Sequence, residues 1–391
     1  MIEKIRSLSE KYFKNAVETR RHLHSHPELS FQEKETSDYI FKELNSIGIN
    51  VKRIANTGII AEINGKEKGK VIALRADIDA LPINEDNDVS YKSVQENVMH
   101  ACGHDVHTAS LLTVAKILNQ LKEEFTGTIK LIFQPAEEKI PGGAQQIIEE
   151  GGLKNPDVDI IFGQHVDPDL ETGTVGFKAN EYMASSDEFY ISVFGKGGHA
   201  AMPWKLIDPV VISAQLITSL QTIISRNTNV NSPSVLSFGK ITSLNGAVNI
   251  IPNEVKIEGI FRTFNEEWRK EAHKLIISLC ENIVKGMGAK AKIKIIQGYP
   301  VLINDEEQTK KSVIYAQEYL GKKNVIMLER RMTAEDFAYY SLKKTAVYYR
   351  LGTANKSKGI DSPLHSSTFN VDEDSLKTSI GLMTYLALKS L

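Results

Sequence analysis

The stretch "MHACGHDVHTASLL", Met99 to Leu112, holds three of the chain's ten histidines and one of its two cysteines, beside the start of an apolar helical pattern. Cys102 and His104 stand two apart. That spacing puts both side chains on one side of an extended segment and splays them on a helix. Thiolate and imidazole suit soft and borderline cations, so a metal site is one chemistry open to this segment. A cysteine nucleophile, activated by His104 or His107, is the other. Downstream, "FQPAEEKIPGG" supplies Glu137 and Glu138 just past an apolar run, and "FGQHVDPDL" puts His165 at the end of the next one. Neighbouring carboxylates in a cleft repel unless cations neutralise them; one can bind a cation while the other faces a water. "LRADIDALP" sets Asp77 and Asp79 at a further strand end, and "SPLHSSTFNVDED" offers His365 in a polar loop before the last helix. His107 falls in the first turn of the predicted helix and reads as a structural histidine or one that orients a ligand.

The elements that must position these groups follow from hydrophobic periodicity. Helices are predicted over 1–21 and 31–47, and again near 106–121, with Asp105 as N-cap, and near 143–151. The runs at 59–64, 70–77, 128–134 and 159–166 read as strands. Several are nearly all apolar, as expected for strands covered by helices on both faces. Strand alternating with helix argues for an α/β sheet, and such sheets assemble sites at the carboxyl ends of their strands. From about Ser185 the order is strand (188–195), helix (207–226), strands (234–242 and 254–263), helix (265–287) and strand (289–297), a split βαβ pattern. A helix near 305–320, a strand at 345–353 and a final helix from about 372 resume the alternation. The expected architecture is therefore α/β and two-domain. A mixed-sheet catalytic domain, 1–184 and 298–391, is interrupted by an α+β, ferredoxin-like lid or dimerisation domain, 185–297.

Bulk properties narrow the function. The chain has 391 residues, 41% hydrophobic and 25% charged, ordinary values for a globular protein with a buried core. A net charge of -2 without long charged blocks gives no reason to expect nucleic acid or an anionic membrane surface as partner. The N-terminus lacks a signal-type apolar core and no run reaches 18 apolar residues, so a cytoplasmic protein without a membrane span is expected. Cys102 and Cys280 lie in unlike contexts and do not read as a disulfide pair.

Taken together, the motifs resemble a known family: the amidohydrolase branch of the aminoacylase-like dinuclear metallopeptidases, which includes hippurate hydrolases, N-acetyldiaminopimelate deacetylases and some carboxypeptidases. The likeness runs in order through "RRHLHSHPELSFQE" (20–33), "LRADIDALP", "MHACGHDVHTA", "FQPAEE", "GQHV" (163–166), "GKGGHAAMP" (195–203), "VNIIPNEV" (248–255), "FRTFN" (261–265), "AEDFAYY" (334–340) and "LHSSTFNVDE" (364–373). The resemblance implies that Cys102, His104, Glu138, His165 and His365 hold two divalent cations, manganese or zinc first, cobalt or nickel next, with Cys102 bridging. It implies Glu137 as general base and His199 as the group that meets the carbonyl oxygen in a partner subunit's site, which requires a homodimer. Asn249 and Arg262 would hold substrate. Asp77 and Asp79, where more distant relatives carry His-x-Asp, would orient ligands. Val106 and Thr333-Ala334 depart from common glycines, the latter beside Glu335, which could support the metals. The 20–33 stretch is assigned no chemistry.

The implied reaction is hydrolysis of the amide of an N-acyl-L-amino acid or short peptide with a free carboxylate, by a metal-bound water. Two alternatives stand beside it: a hydrolase with Cys102 as nucleophile, and a non-catalytic small-molecule-binding protein on the same scaffold.

Overall fold

The computed structural model describes residues 1–391. The chain divides into two compact units, Met1–Tyr182 with Ile303–Glu329 and Asp336–Leu391, and Met183–Leu302 with Arg330–Glu335. The second unit thus takes in the 183–184, 298–302 and 330–335 segments, outside the 185–297 expected for the inserted domain.

The first unit is built on an eight-stranded mixed sheet. Its strands are β1 (Asn50–Ile54), β2 (Gly58–Asn64), β3 (Val71–Asp77), β4 (Thr128–Gln134), β5 (Ile160–Glu171), β6 (Val175–Phe177), β7 (Val325–Met327) and β8 (Thr345–Ala354). They lie in the order β1-β2-β4-β3-β5-β8-β6-β7. The centre, β4-β3-β5-β8, is parallel. All seven residues of β3 are buried, so helices or loops cover both faces there. Helices α1 (Ile2–Ser25), α2 (Lys34–Ser46), α3 (His104–Gln120), α4 (Gly143–Glu149), α5 (Glu306–Leu320) and α6 (Ser375–Ser390) supply that cover, with α1, α3 and α6 packed on one another. Fourteen of the seventeen residues of α3 are buried, so this helix is held on all sides and its first turn is a rigid platform.

Three details differ from the sequence expectation. Gly103, not Asp105, occupies the N-cap of α3, with φ 78, and Asp105 sits in the first turn. The Asp105 carboxylate instead takes Arg20 Nε and His24 Nδ1, each at 2.8 Å. Strand β5 runs on past His165 to Glu171, because β8 continues to pair beside it. Strands β1, β6 and β7, too short to leave a pattern, were not anticipated; β1 and β7 are the edges, where short strands blunt unwanted pairing.

The second unit carries a four-stranded antiparallel sheet in the order 234–244, 254–263, 187–194, 290–297, with helices Pro209–Thr222 and Glu266–Gly286. That is the ferredoxin-like arrangement. Asp208 and Asn265 cap the two helices by accepting first-turn amides. No helix of the chain is long and apolar enough to cross a membrane.

Candidate metal centre

Four segments of the first unit, three of them loops or turns and the fourth His165 within β5, bring their donor groups together. After β4, Pro135 and Ala136 turn the chain, with Ala136 at φ 53, and present Glu137 and Glu138. Before α3, the turn at Cys102–Gly103 brings the thiol and His104 together. A Cβ on Gly103 would meet Val166 Cγ2 at 2.5 Å, so glycine is what lets this turn approach β5 beside His165. His365, in a loop before α6 at φ 62, donates its backbone N–H to the Ala101 carbonyl at 2.9 Å.

The Cys102 sulfur lies 3.3 Å from His165 Nε2 and 3.3 Å from His365 Nε2. His365 Nε2 is also 3.2 Å from Glu138 Oε1, without the direction of a hydrogen bond. The donor atoms of Cys102, His104 and His165 all fall within 4.8 Å of one another, as do those of Cys102, Glu138 and His365. The two groups share Cys102. A third such group joins His104, Glu137 and Glu138.

Hydrogen bonds fix which ring nitrogens face inward. His104 Nδ1 donates to the Asp79 carbonyl at 2.9 Å and lies 3.1 Å from Asp79 Oδ1, leaving Nε2 buried and without a hydrogen bond. His165 Nδ1 donates to the Val166 carbonyl at 2.7 Å, so its Nε2 lone pair is directed at the sulfur. His107 differs. Its Nδ1 donates to Asp77 Oδ1 while its Nε2 accepts the Val166 N–H at 2.9 Å, so both nitrogens are taken and it orients rather than ligates.

Negative charge is concentrated around these donors. Burial disfavours a charged His104, yet Asp77, Asp79 and Glu138 carry it up to about 10. Burial, then Glu138 and Glu137, push the Cys102 thiol well above its usual range. Thiol, imidazoles and carboxylates, with His104 Nε2 and Glu138 Oε1 buried and making no hydrogen bond, form a donor set that fits divalent cations. The same environment opposes a free thiolate nucleophile, which needs a lowered thiol pKa.

Several supporting residues were not anticipated. Arg75, wholly buried in β3, donates through Nε to Gln134 Oε1 at 2.9 Å, through one terminal nitrogen to Asp77 and through the other to Asp336 Oδ1 at 2.9 Å. An arginine two residues before Asp77 at the end of an apolar run is the available signal. Glu33 and Ser30 likewise reach this region from the 20–33 stretch.

The remaining expected residues belong to the second unit. His199, exposed, accepts the Ala201 N–H at Nδ1 (3.1 Å), so the neutral ring carries its proton at Nε2. Its strand residue pairs with Ile250. Asn249 is exposed and its carbonyl accepts the Ala200 N–H at 3.0 Å. Arg262 is half-buried; one terminal nitrogen is buried and unpartnered, and burial pulls its pKa below the usual guanidinium range. Glu335 is buried and lies in the short segment that joins this unit.

Residues 73–389 match the model of peptidase family M20/M25/M40. The chain is 40% identical over 306 residues to an N-acyl-L-amino acid amidohydrolase of Geobacillus stearothermophilus, covering 78% of this chain and 82% of that one. It is 36% identical over 395 residues to thermostable carboxypeptidase 2 of Saccharolobus solfataricus, covering 100% and 98%. Among solved structures, a dinuclear metal binding peptidase of the M20 family from Bacillus subtilis superposes with a TM-score of 0.83 at 36% identity, covering 98% of this chain and 99% of that one.

Proposed function

The chain belongs to peptidase family M20/M25/M40, and from that membership and its donor set we propose how its residues divide the work of a metal-dependent amide hydrolase. It acts on N-acyl-L-amino acids or short peptides with a free carboxylate. The observation that carries the reading is the Cys102 sulfur, equidistant at 3.3 Å from His165 Nε2 and His365 Nε2 and shared by two donor groups.

Cys102, His104 and His165 would hold one cation, and Cys102, Glu138 and His365 the other. When bound, such cations act as Lewis acids and lower the pKa of water from 15.7 towards about 7. Thiolate favours zinc while the mixed imidazole and carboxylate set also accepts manganese; these two are proposed ahead of cobalt and nickel. Asp79 holds His104 in the tautomer with Nε2 inward, while Asp77 takes His107 Nδ1–H and leaves its Nε2 to the Val166 N–H. Glu137 is assigned as general base: it takes the proton of the attacking water and returns it to the leaving amine. His199 Nε2–H is assigned as donor to the developing oxyanion, contributed to the site of a second subunit in a homodimer. Arg262, with an unsatisfied guanidinium nitrogen, suits the substrate carboxylate, and Asn249 its neighbouring polar atoms. Cytoplasmic residence is part of the same proposal.

The test is release of amino groups from N-acetyl-amino acids, hippurate and dipeptides by chelator-stripped protein, with and without added manganese or zinc. Metal-restored hydrolysis is expected. Hydrolysis indifferent to chelation, abolished instead by thiol alkylation, would return Cys102 to the role of nucleophile. Inertness across the panel with two cations bound would favour a binding protein.

A further inference from the structure

Glu33 is fully buried at the N-terminus of α2, yet its carboxylate bonds to backbone amides and a hydroxyl, not to a cationic side chain. Its Oε1 accepts the Phe31 N–H at 2.9 Å and the Ala136 N–H at 2.8 Å, while Oε2 accepts Thr57 Oγ1 at 2.8 Å. Phe31 (φ 67) and Ala136 (φ 53) are both non-glycine residues in the left-handed region. Such conformations persist where surrounding contacts over-determine them, and one carboxylate oxygen ties both. Nearby, Asp79 Oδ2 accepts Ser30 Oγ at 2.6 Å and the Glu138 N–H at 3.0 Å. The two residues flanking Glu137 are therefore each held at the backbone amide, one by Glu33 and the other by Asp79 with Ser30 behind it.

We propose that the Ser30–Glu33 loop is a clamp on the base: Glu33 is a positioning residue that fixes the 135–138 turn and so aims the Glu137 carboxylate. The inference rests on the assignment of Glu137 as base. A buried, unpaired carboxylate is a costly way to fill space, which argues for a geometric role. Glutamine can reproduce it, because its amide oxygen accepts both backbone N–H groups and its NH2 donates to Thr57.

The experiment compares wild type with Glu33→Ala, Glu33→Asp and Glu33→Gln as full-length, metal-loaded proteins on whichever amide the wild type hydrolyses. Metal affinity is measured separately by chelator competition. Ala, and Asp with its shorter reach, are expected to lower kcat about 10- to 100-fold, since misplacement on the order of 1 Å costs that much. KM and chelator competition stay as in wild type, because Glu138 keeps its own anchor on Asp79. Gln restores kcat. Folded Ala or Asp variants with wild-type kcat, or losses that follow weakened metal binding, would overturn the clamp. A wild type inert towards every amide would overturn the assignment of Glu137 beneath it.

Discussion

The Val166 backbone N–H donates to His107 Nε2 at 2.9 Å, which consumes the one lone pair that ring could have offered a cation. With Nδ1 on Asp77, His107 becomes a strut between the end of β3 and the residue after His165, a proposed ligand. His107→Asn should weaken metal binding about 10- to 100-fold, the usual cost of losing such a support, while leaving two cations bound at saturation. Chelator competition and metal analysis read both. A stoichiometry reduced to one at saturation would make His107 a ligand.

Glu137→Gln should retain both cations and lose turnover by at least 10²- to 10⁴-fold, the range expected for removal of a general base. Metal content by elemental analysis and single-turnover rates on the best substrate check it. Near-normal turnover would remove Glu137 from the mechanism.

His199→Ala should be almost inactive alone and regain activity when mixed with Glu137→Gln, because one of the hybrid sites then has both an intact base and an intact histidine. Removal of an oxyanion donor costs on the order of 10²–10³ in turnover, so the regain is easily read. Mixing without regain, once subunit exchange is demonstrated, would place His199 in its own subunit's chemistry or outside it.

Glu33 also marks stability against pH. Burial, then the nearby Asp79 charge, push its carboxyl up to about 7 from an ordinary 4.5. Between those values the folded chain keeps a proton that the unfolded chain has released, so its contribution to stability falls as pH rises through the window. Glu33→Gln does not titrate. Relative to that variant, wild type should lose up to about 3 kcal/mol between pH 4.5 and 7, at about 1.4 kcal/mol per pH unit, and change little above. Urea unfolding of both proteins at several pH values tests this; parallel curves would contradict it.

Much of this site could be read in the chain itself. Strands β3 and β4 are rich in apolar residues and buried on both faces, so their ends are legible, and Asp77, Glu137 and Glu138 stand just there. Cys102 and His104 were found by residue type. What could not be read was pairing across distance. Glu33 and Ala136 are 103 residues apart and Arg75 reaches Asp336 across 261. No local periodicity encodes such a bond; only the closed sheet brings its ends together. The α3 N-cap was misread because Asp105 is a good capping residue whose carboxylate is claimed by Arg20 and His24 instead.

The sulfur that joins the two donor groups takes one imidazole from 63 residues downstream and the other from 263. During synthesis the thiol emerges long before its last partner. A chain that has not yet reached His365 would lack one of the two imidazoles that meet this sulfur, so the proposed ligand set closes only after the segment carrying His365 has folded back onto Cys102.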